Sequence, residues 1–283
     1  MKNKLQIPEL LFLFINYAIF TSSKIINKVC DCLVIIPTYN EKENIARIIS
    51  KVFSLEDEFD ILIIDDNSPD GTALIVKDLI EQNKDRLFLI ERSGKLGLGT
   101  AYIAGFRWAL SNHYKYIFEM DADFSHDPND LQRLRAACID QHADLVIGSR
   151  YISGINVINW PLKRVLMSYF ASMFVRKISG LTIMDTTAGF KCYRHTVLET
   201  LDLEKIKMKG YGFQIEMKFK TWEYGFKILE IPIIFTDRRE GTSKMSGGIF
   251  GEAFYGVIKM KIRSIFTKTK LKAVTDNAVS QSN

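Results

Sequence analysis

The chain has 283 residues, is 47% apolar and carries a formal charge of +5. That length holds one large domain or two small ones, and the apolar share supports a sizeable core. So small and dispersed a charge gives no nucleic-acid signature. Four scattered cysteines, with Cys30 and Cys32 the one close pair, exclude a disulfide scaffold or a four-ligand zinc site and fit reduced thiols in the cytosol.

Residues 1–30 read as an extension outside the fold. Lys2 and Lys4 precede the apolar run Leu10 to Phe20, about eleven residues, where about 20 are needed to span a bilayer. The run has the form of a signal-peptide core, but Thr21-Ser22-Ser23-Lys24 is not a small-x-small cleavage site.

From Cys32 a regular alternation begins. Leu33 to Ile36 is a short apolar run closed by Pro37, the pattern of a buried strand. A helix is expected from Asn40 or Glu41 to about Phe53, with Ile45, Ile48, Ile49 and Val52 on one face. Ile61 to Ile64 is a second strand, stopped by the turn-forming cluster Asp65-Asp66-Asn67-Ser68-Pro69-Asp70-Gly71-Thr72. A helix from Thr72 to Gln82, a strand from Leu87 to Ile90 and a helix from Gly97 to Leu110 follow. A fourth strand starts at Tyr116 and ends at Asp121, and a fifth runs from Asp144 to Ile147. Short apolar strands alternating with helices predict an α/β fold with a mostly parallel sheet, and such sheets bind ligands beyond the carboxyl ends of their strands.

The fourth strand runs out into Asp121-Ala122-Asp123. Extended backbone places the two carboxylates on one side, where they repel unless a cation lies between them. A hard divalent ion takes one or two carboxylates and completes its shell with phosphate oxygens and water. A metal–diphosphate site is therefore expected here, with a plain polar turn as the alternative. His126, which follows, is expected to cap the next helix rather than to ligate.

Past Arg150 the character changes. Leu162 to Ile178 is helical in pattern and apolar nearly all round from Val165 to Val175, so it is either fully buried or touches lipid. Arg164 and Ser168 share one of its faces. A strand is expected from Ile228 to Phe235, then a basic loop, Asp237 to Lys244. Gly251 to Phe266 has an amphipathic pattern, with Phe254, Val257, Ile258, Ile262, Ile265 and Phe266 on one side and Lys259, Lys261 and Arg263 interleaved. Such a helix either lies on an anionic membrane surface or docks on the sheet with a solvated basic edge. The division expected is 1–30 extension, 31–248 catalytic domain, 249–272 amphipathic helix and 273–283 tail.

Taken together, Pro37-Thr38-Tyr39-Asn40-Glu41, Asp65 to Thr72, Gly97-Leu98-Gly99-Thr100-Ala101-Tyr102, Met120 to His126, Gly148-Ser149-Arg150-Tyr151, Asp185 to Phe190, Gly210 to Glu216, Arg238 and Ser243-Lys244 resemble the family 2 glycosyltransferases. Within them the set is similar to the dolichyl-phosphate (polyprenol-phosphate) mannosyltransferases, over about residues 33 to 248. The resemblance implies a Rossmann-like GT-A fold, GDP-mannose as donor, Mg²⁺ or Mn²⁺, a polyprenyl phosphate acceptor, and a peripheral position on the cytosolic face of a membrane. A small membrane subunit is left open as a further partner. By the same resemblance Pro37, Tyr39, Glu41, Ile64, Asp65, Asp66 and Ala122 would contact the donor nucleotide. Asp121 and Asp123 would hold the metal and meet the donor, with a third contact at Ser125, where some members have Gln. Arg150, Arg164 and Ser168 would bind the acceptor phosphate, and Arg238 and Lys244 would lie on a loop closing over the diphosphate. The catalytic set is Asp121, Asp123 and Arg150.

This reading makes chemical sense of what the chain lacks. A hydroxyl acceptor needs a general base, whereas a phosphate with a second pKa of about 6 is already an anion near neutral pH. The chain offers Arg150 and Arg164 and no persuasive basic His, while Asp185 is expected to orient or support. An alternative within the class moves glucose from UDP-glucose to the same kind of lipid. A non-catalytic nucleotide-sugar-binding membrane adaptor is a different class, which the intact acidic pair and the arginines disfavour. A dehydrogenase is disfavoured because Gly97-Leu98-Gly99 meets Tyr102 where a third glycine is needed.

Overall fold

The structure, a computed structural model, describes residues 30–237 and 249–267, with side chains of 249–253 and 267 left aside. Most of the extension at 1–30, Arg238, Lys244 and the tail at 273–283 lie outside the described residues.

Seven strands form the main sheet: β1 (Cys32–Thr38), β2 (Asp60–Asp65), β3 (Leu87–Glu91), β4 (Tyr116–Glu119), β5 (Leu145–Ser149), β7 (Lys191–Arg194) and β8 (Ile228–Pro232). Their order is β3-β2-β1-β4-β7-β5-β8. All neighbours are parallel except β7, which runs antiparallel to both β4 and β5. Two short parallel strands, β6 (Val157–Ile158) and β9 (Phe235–Thr236), pair beside it. The helices are α1 (Ile45–Phe53), α2 (Thr72–Ile80), α3 (Leu98–Ser111), α4 (Asp130–Asp140), α5 (Leu162–Ser179), α6 (His195–Thr200), α7 (Gly210–Glu223) and α8 (Ile249–Thr267).

The period of two in each strand builds two cores. Leu33, Ile35, Leu62 and Ile64 point into one, closed by α3, α5, α6, α7 and α8. Val34, Ile36, Ile61 and Ile63 point into the other, closed by α1, α2 and α4. Buried on both faces, these strands need no polar alternation.

Several boundaries differ from the sequence reading. The first helix starts at Ile45 rather than at Asn40 or Glu41, because the Glu41 carbonyl first takes the N–H groups of Asn44 and Ile45 in a tight turn. The second stops at Ile80. The expected strand from Ile228 to Phe235 is two strands, β8 and β9, broken at Ile233 and Ile234 where the chain leaves the sheet. Strand β7 has no apolar run to announce it. Its Lys191 is fully buried because its Nζ donates to the Glu119 carboxylate on β4 at 2.8 Å and to Gln214 on α7. Helix α5 is not enclosed: Leu162, Leu166, Met167, Phe170 and Met173 are exposed, Leu162 at 71%. Helix α8 docks on α7 and α5 rather than on the sheet, through Val257, Met260 and Ser264, and Phe254 stacks on Phe174 at 4.4 Å. Ile262, Ile265 and Phe266, placed with Val257 on one apolar side by the sequence, are exposed.

Helix α3 lies close to β1 because Gly105 faces it. A Cβ there would come within 2.7 Å of Ile35 Cγ2, and Ile35 is fully buried with nowhere to move. Gly105→Ala should cost about 1–3 kcal/mol by overpacking, read as a lower midpoint in urea with an unchanged slope.

Candidate active site

The carboxyl ends of β1, β2, β4 and β5 open on one edge of the sheet. Because β7 is antiparallel, the segment entering it, Met184 to Phe190, reaches the same edge. Among the described residues singled out from sequence, Pro37, Tyr39, Glu41, Asp65, Asp66, Asp121, Asp123, Ser125 and Arg150 lie at or just past these strand ends, and Arg164 and Ser168 stand on α5.

On the donor-side strands, Pro37 closes β1 and Tyr39 follows it, with Lys95 Nζ 4.7 Å above the Tyr39 ring. The Glu41 N–H donates to Thr72 Oγ1 at 3.0 Å and the Glu41 carboxylate accepts from Asn44 Nδ2 at 3.3 Å. Ile64 is fully buried in the core, so its side chain cannot meet a ligand and only its backbone is at the edge. Asp65 is buried and occupied: it accepts from Thr38 Oγ1 at 2.8 Å and from the Ser68 hydroxyl and amide at 2.6 and 2.9 Å. It therefore holds the turn together, while Asp66, one residue on, takes Arg92 Nε at 2.5 Å. Arg92 also donates to Thr100 Oγ1 at 2.7 Å and to the Gly97 carbonyl at 3.2 Å. Sequence reasoning missed Arg92 and Lys95; a basic residue just after a strand end was the available signal.

At the end of β4, Asp121 is partly exposed and Asp123 is buried at 8%. Asp123 Oδ1 accepts the Ser125 N–H at 3.0 Å across a turn in which Phe124 has φ +58°. Ala122 and Ser125 are both buried. His126 does not cap the next helix, which begins at Asp130 after Asn129. Its ring is buried, stacked on Phe190 at 4.8 Å, with Nδ1 accepting the Asp121 N–H at 3.4 Å. Burial pushes its pKa down to about 4, Arg150 and Lys191 pushing the same way against the pull of Asp123, so the ring is neutral near pH 7.

Across from the carboxylates, Arg150 follows β5 and is fully enclosed. Its Nε and Nη2 each donate to Asp185 at 2.7 Å, its backbone N–H does so at 3.0 Å, and Nη2 reaches Thr187 Oγ1 at 2.8 Å. Burial would raise the Asp185 carboxyl, but Arg150 more than offsets this and holds it below the usual carboxylate range. Arg164, on α5, stacks on Trp160 at 4.0 Å and donates to Asp237 Oδ1 at 2.8 Å. Ser168 is one turn further along α5 and lines, with Arg164, Thr187 and Tyr211, an apolar groove of about 1150 Å³ between α5, α7 and α8.

Phe235 joins the acidic and basic groups. Its ring lies 5.2 Å from that of His126, 5.3 Å from that of Trp160 and 5.6 Å from the Arg150 guanidinium. The structure thus brings Asp121, Asp123, Ser125 and Arg164 to one region, with Arg150 enclosed behind the Trp160 and Phe235 rings and with Pro37, Tyr39, Glu41 and Asp66 along the same edge.

Comparison with known proteins settles the family. Residues 33–202 match the model of glycosyl transferase family 2. The chain belongs to this family. It is 46% identical over 231 residues to the polyprenol monophosphomannose synthase of Mycolicibacterium smegmatis, covering 82% of this chain and 87% of the relative. It is 45% identical over 227 residues to the undecaprenyl-phosphate mannosyltransferase of Micrococcus luteus, covering 80% and 92%. A solved structure of glucosyl-3-phosphoglycerate synthase from Mycobacterium tuberculosis with Mn²⁺, uridine diphosphate and phosphoglyceric acid superposes with a TM-score of 0.61 at 15% identity, over 81% of this chain and 78% of that one. That likeness shows the GT-A-like fold. This family 2 chain is therefore a glycosyltransferase on a mostly parallel sheet flanked by helices, as its sequence led one to expect.

The Arg92–Asp66 pair is the family member's own support for its second strand end. Arg92→Met would leave Asp66 buried without its cation, at a cost of about 3 kcal/mol. Thermal unfolding should show the loss, and Arg92→Lys should recover part of it.

Proposed function

We propose that the chain transfers mannose from GDP-mannose to a polyprenyl phosphate, with inversion at the sugar carbon and with the help of Mg²⁺ or Mn²⁺. The observation that supports this reading is that His126, which takes the Asp121 N–H, and Trp160, on which Arg164 stacks, both pack on Phe235, with the Arg150 guanidinium 5.6 Å from the same ring. The names of the two relatives near 45% identity support the lipid phosphate and the mannosyl group.

Among the described residues no group of three or more His, Cys, Asp or Glu side chains is arranged to hold a metal. The donor set is nevertheless that of a hard cation: two carboxylates on one turn, with a buried hydroxyl residue, Ser125, beside them. Mg²⁺ and related ions commonly take one or two protein carboxylates and fill their shell with phosphate oxygens and water, so Asp121 and Asp123 fit. Bound there, the cation would neutralise charge on the leaving diphosphate.

The chain's own residues do the rest. Asp66 and Tyr39 would hold the nucleoside, with Arg92 steadying the Asp66 carboxylate. An acceptor phosphate oxygen attacks the sugar carbon as the bond to the diphosphate breaks, and GDP leaves with its electron pair. No proton need be removed from the acceptor, and no base is offered. Asp185 is committed to Arg150, and His126 is enclosed between Phe190 and Phe235. Arg164 and Ser168 supply donors to the phosphate at the mouth of the groove, and guanidinium groups suit its oxygens. Arg150 contributes a fixed positive charge behind them.

The apolar groove would take the first units of the lipid tail. None of the described helices is long and apolar enough to cross a membrane. The exposed Leu162, Leu166, Phe170, Phe254, Ile262, Ile265 and Phe266 on α5 and α8, with Lys163, Lys259 and Arg263 among them, suit shallow contact with an anionic surface. The protein would then sit peripherally on the cytosolic side of a membrane, where its free thiols stay reduced.

Purified protein incubated with radiolabelled GDP-mannose, Mn²⁺ and polyprenyl phosphate should move label into organic solvent. Transfer from UDP-glucose but not from GDP-mannose would reject the donor assignment. Chelation should stop the reaction and added Mn²⁺ or Mg²⁺ restore it. Asp123→Ala should lower turnover by about a thousand-fold or more with the fold intact by circular dichroism; near-normal turnover would refute the metal role. Arg164→Ala should raise the acceptor KM by about ten-fold and move the donor KM far less.

A further inference from the structure

The loop Met184 to Ala188 carries both side chains that hold Arg150, namely Asp185 and Thr187. This loop has no sheet or helix ladder of its own to fix it. Two ionisable side chains from distant parts of the chain do so instead. On the amide side, Glu230 of β8 accepts the Met184 N–H at 2.6 Å and the Asp185 N–H at 2.8 Å, one on each carboxylate oxygen. On the carbonyl side, Lys218 of α7 donates from Nζ to the Thr186 oxygen at 3.0 Å and to the Ala188 oxygen at 2.6 Å.

Lys218 is fully buried, in a helix whose neighbouring Phe213, Met217 and Phe219 form the core. Packing alone would be served by a leucine or methionine. Burying an amine is costly unless its hydrogen bonds are made, and burial, with Lys191 near by, holds this one well below the ordinary lysine range. Here two carbonyls are in place to receive the N–H groups of Nζ.

We propose that Lys218 and Glu230 are positioning residues for the acceptor phosphate: gripping the Met184–Ala188 loop from its carbonyl and amide sides, they set Asp185 and Thr187 and so fix the plane of the Arg150 guanidinium. Neither touches substrate. Both act through Arg150, and the proposal rests on the reading of Arg150 as part of the acceptor side. Donor binding, built on β1, β2 and β4, does not depend on this loop.

The test uses the full chain and two variants, Lys218→Met and Glu230→Gln. In mannosyl transfer from GDP-mannose to polyprenyl phosphate, each should raise the acceptor KM by about ten-fold while the donor KM stays within about two-fold, a split that loss of general stability would not produce. Proton exchange at Arg150 Nε, followed by NMR on arginine-labelled protein without substrate, should accelerate in both. If Lys218→Met does not fold, Glu230→Gln carries the same two readings at a partly exposed position. Parallel changes in both KM values, or lower melting temperature with both KM values unchanged, would overturn the assignment. Absence of transfer by the unmutated protein would sink the proposed function instead. The exchange rate then decides the strap by itself: accelerated exchange supports it, and unchanged exchange overturns it.

Discussion

The enclosed ion pair between Lys191 and Glu119 sits where the sheet changes direction, and much of the architecture follows from it. Lys191 opens β7 opposite Glu119 at the end of β4, and Gln214 Nε2 completes the set by donating to the same carboxylate oxygen at 2.8 Å. Such a pair is expensive to desolvate and holds only with good geometry. It fixes the register of the one antiparallel strand. Through that strand it brings the Met184–Phe190 segment up beside Asp121, which lies two residues beyond Glu119. A parallel strand in the same place would deliver that segment to the opposite edge of the sheet.

Charge is arranged in layers around this point. The carboxylates of Asp121 and Asp123 stand at the end of β4, while Arg150 lies behind a wall of rings from Tyr151, Trp160 and Phe235. Between the two signs is His126, whose neutral ring adds neither attraction nor repulsion. Enclosing Arg150 with Asp185 has a chemical consequence in the proposed reaction. The guanidinium cannot swing to neutralise Asp121 or Asp123 directly, and the nearby carboxylate of Asp185 is committed to it and is no base. Opposite charges are kept near each other without cancelling, the condition for binding a cation and a phosphate on adjoining ground.

Much of this was legible in the sequence because the chain advertises its strand ends. Apolar runs of four stopped by Pro37 and Asp65 located β1 and β2, and the stretch from Tyr116 to Met120, stopped by Asp121, located β4 and the edge they share. What hid were elements built on paired polar residues. Lys191-Cys192-Tyr193-Arg194 looks like surface until Glu119 is seen across from it. Lys218 looks like a solvated helix residue until the carbonyls of Thr186 and Ala188 are seen beneath it. Arg92 offered only its place just after a strand end, since its partner Asp66 is 26 residues away in sequence. Helix α5 was ambiguous for a physical reason: an all-round apolar helix has no periodicity from which its exposed side could be read. The apolar side of α8 left two readings open for a related reason, because a stripe such as Ile262, Ile265 and Phe266 does not say whether protein or lipid covers it.

The stretch that matches the family model ends at residue 202, yet β8 and helix α7 lie beyond it. Strand β8 covers the outer edge of β5 along its whole length, from Leu145 to Ser149. A polypeptide cut at the end of the matched stretch would carry β5 as a bare rim, ready to recruit another copy of itself. It would also strand Lys191 without Gln214. The smallest self-sufficient unit is therefore larger than the signature by which the family is recognised, and fragments trimmed to that signature should precipitate rather than fold.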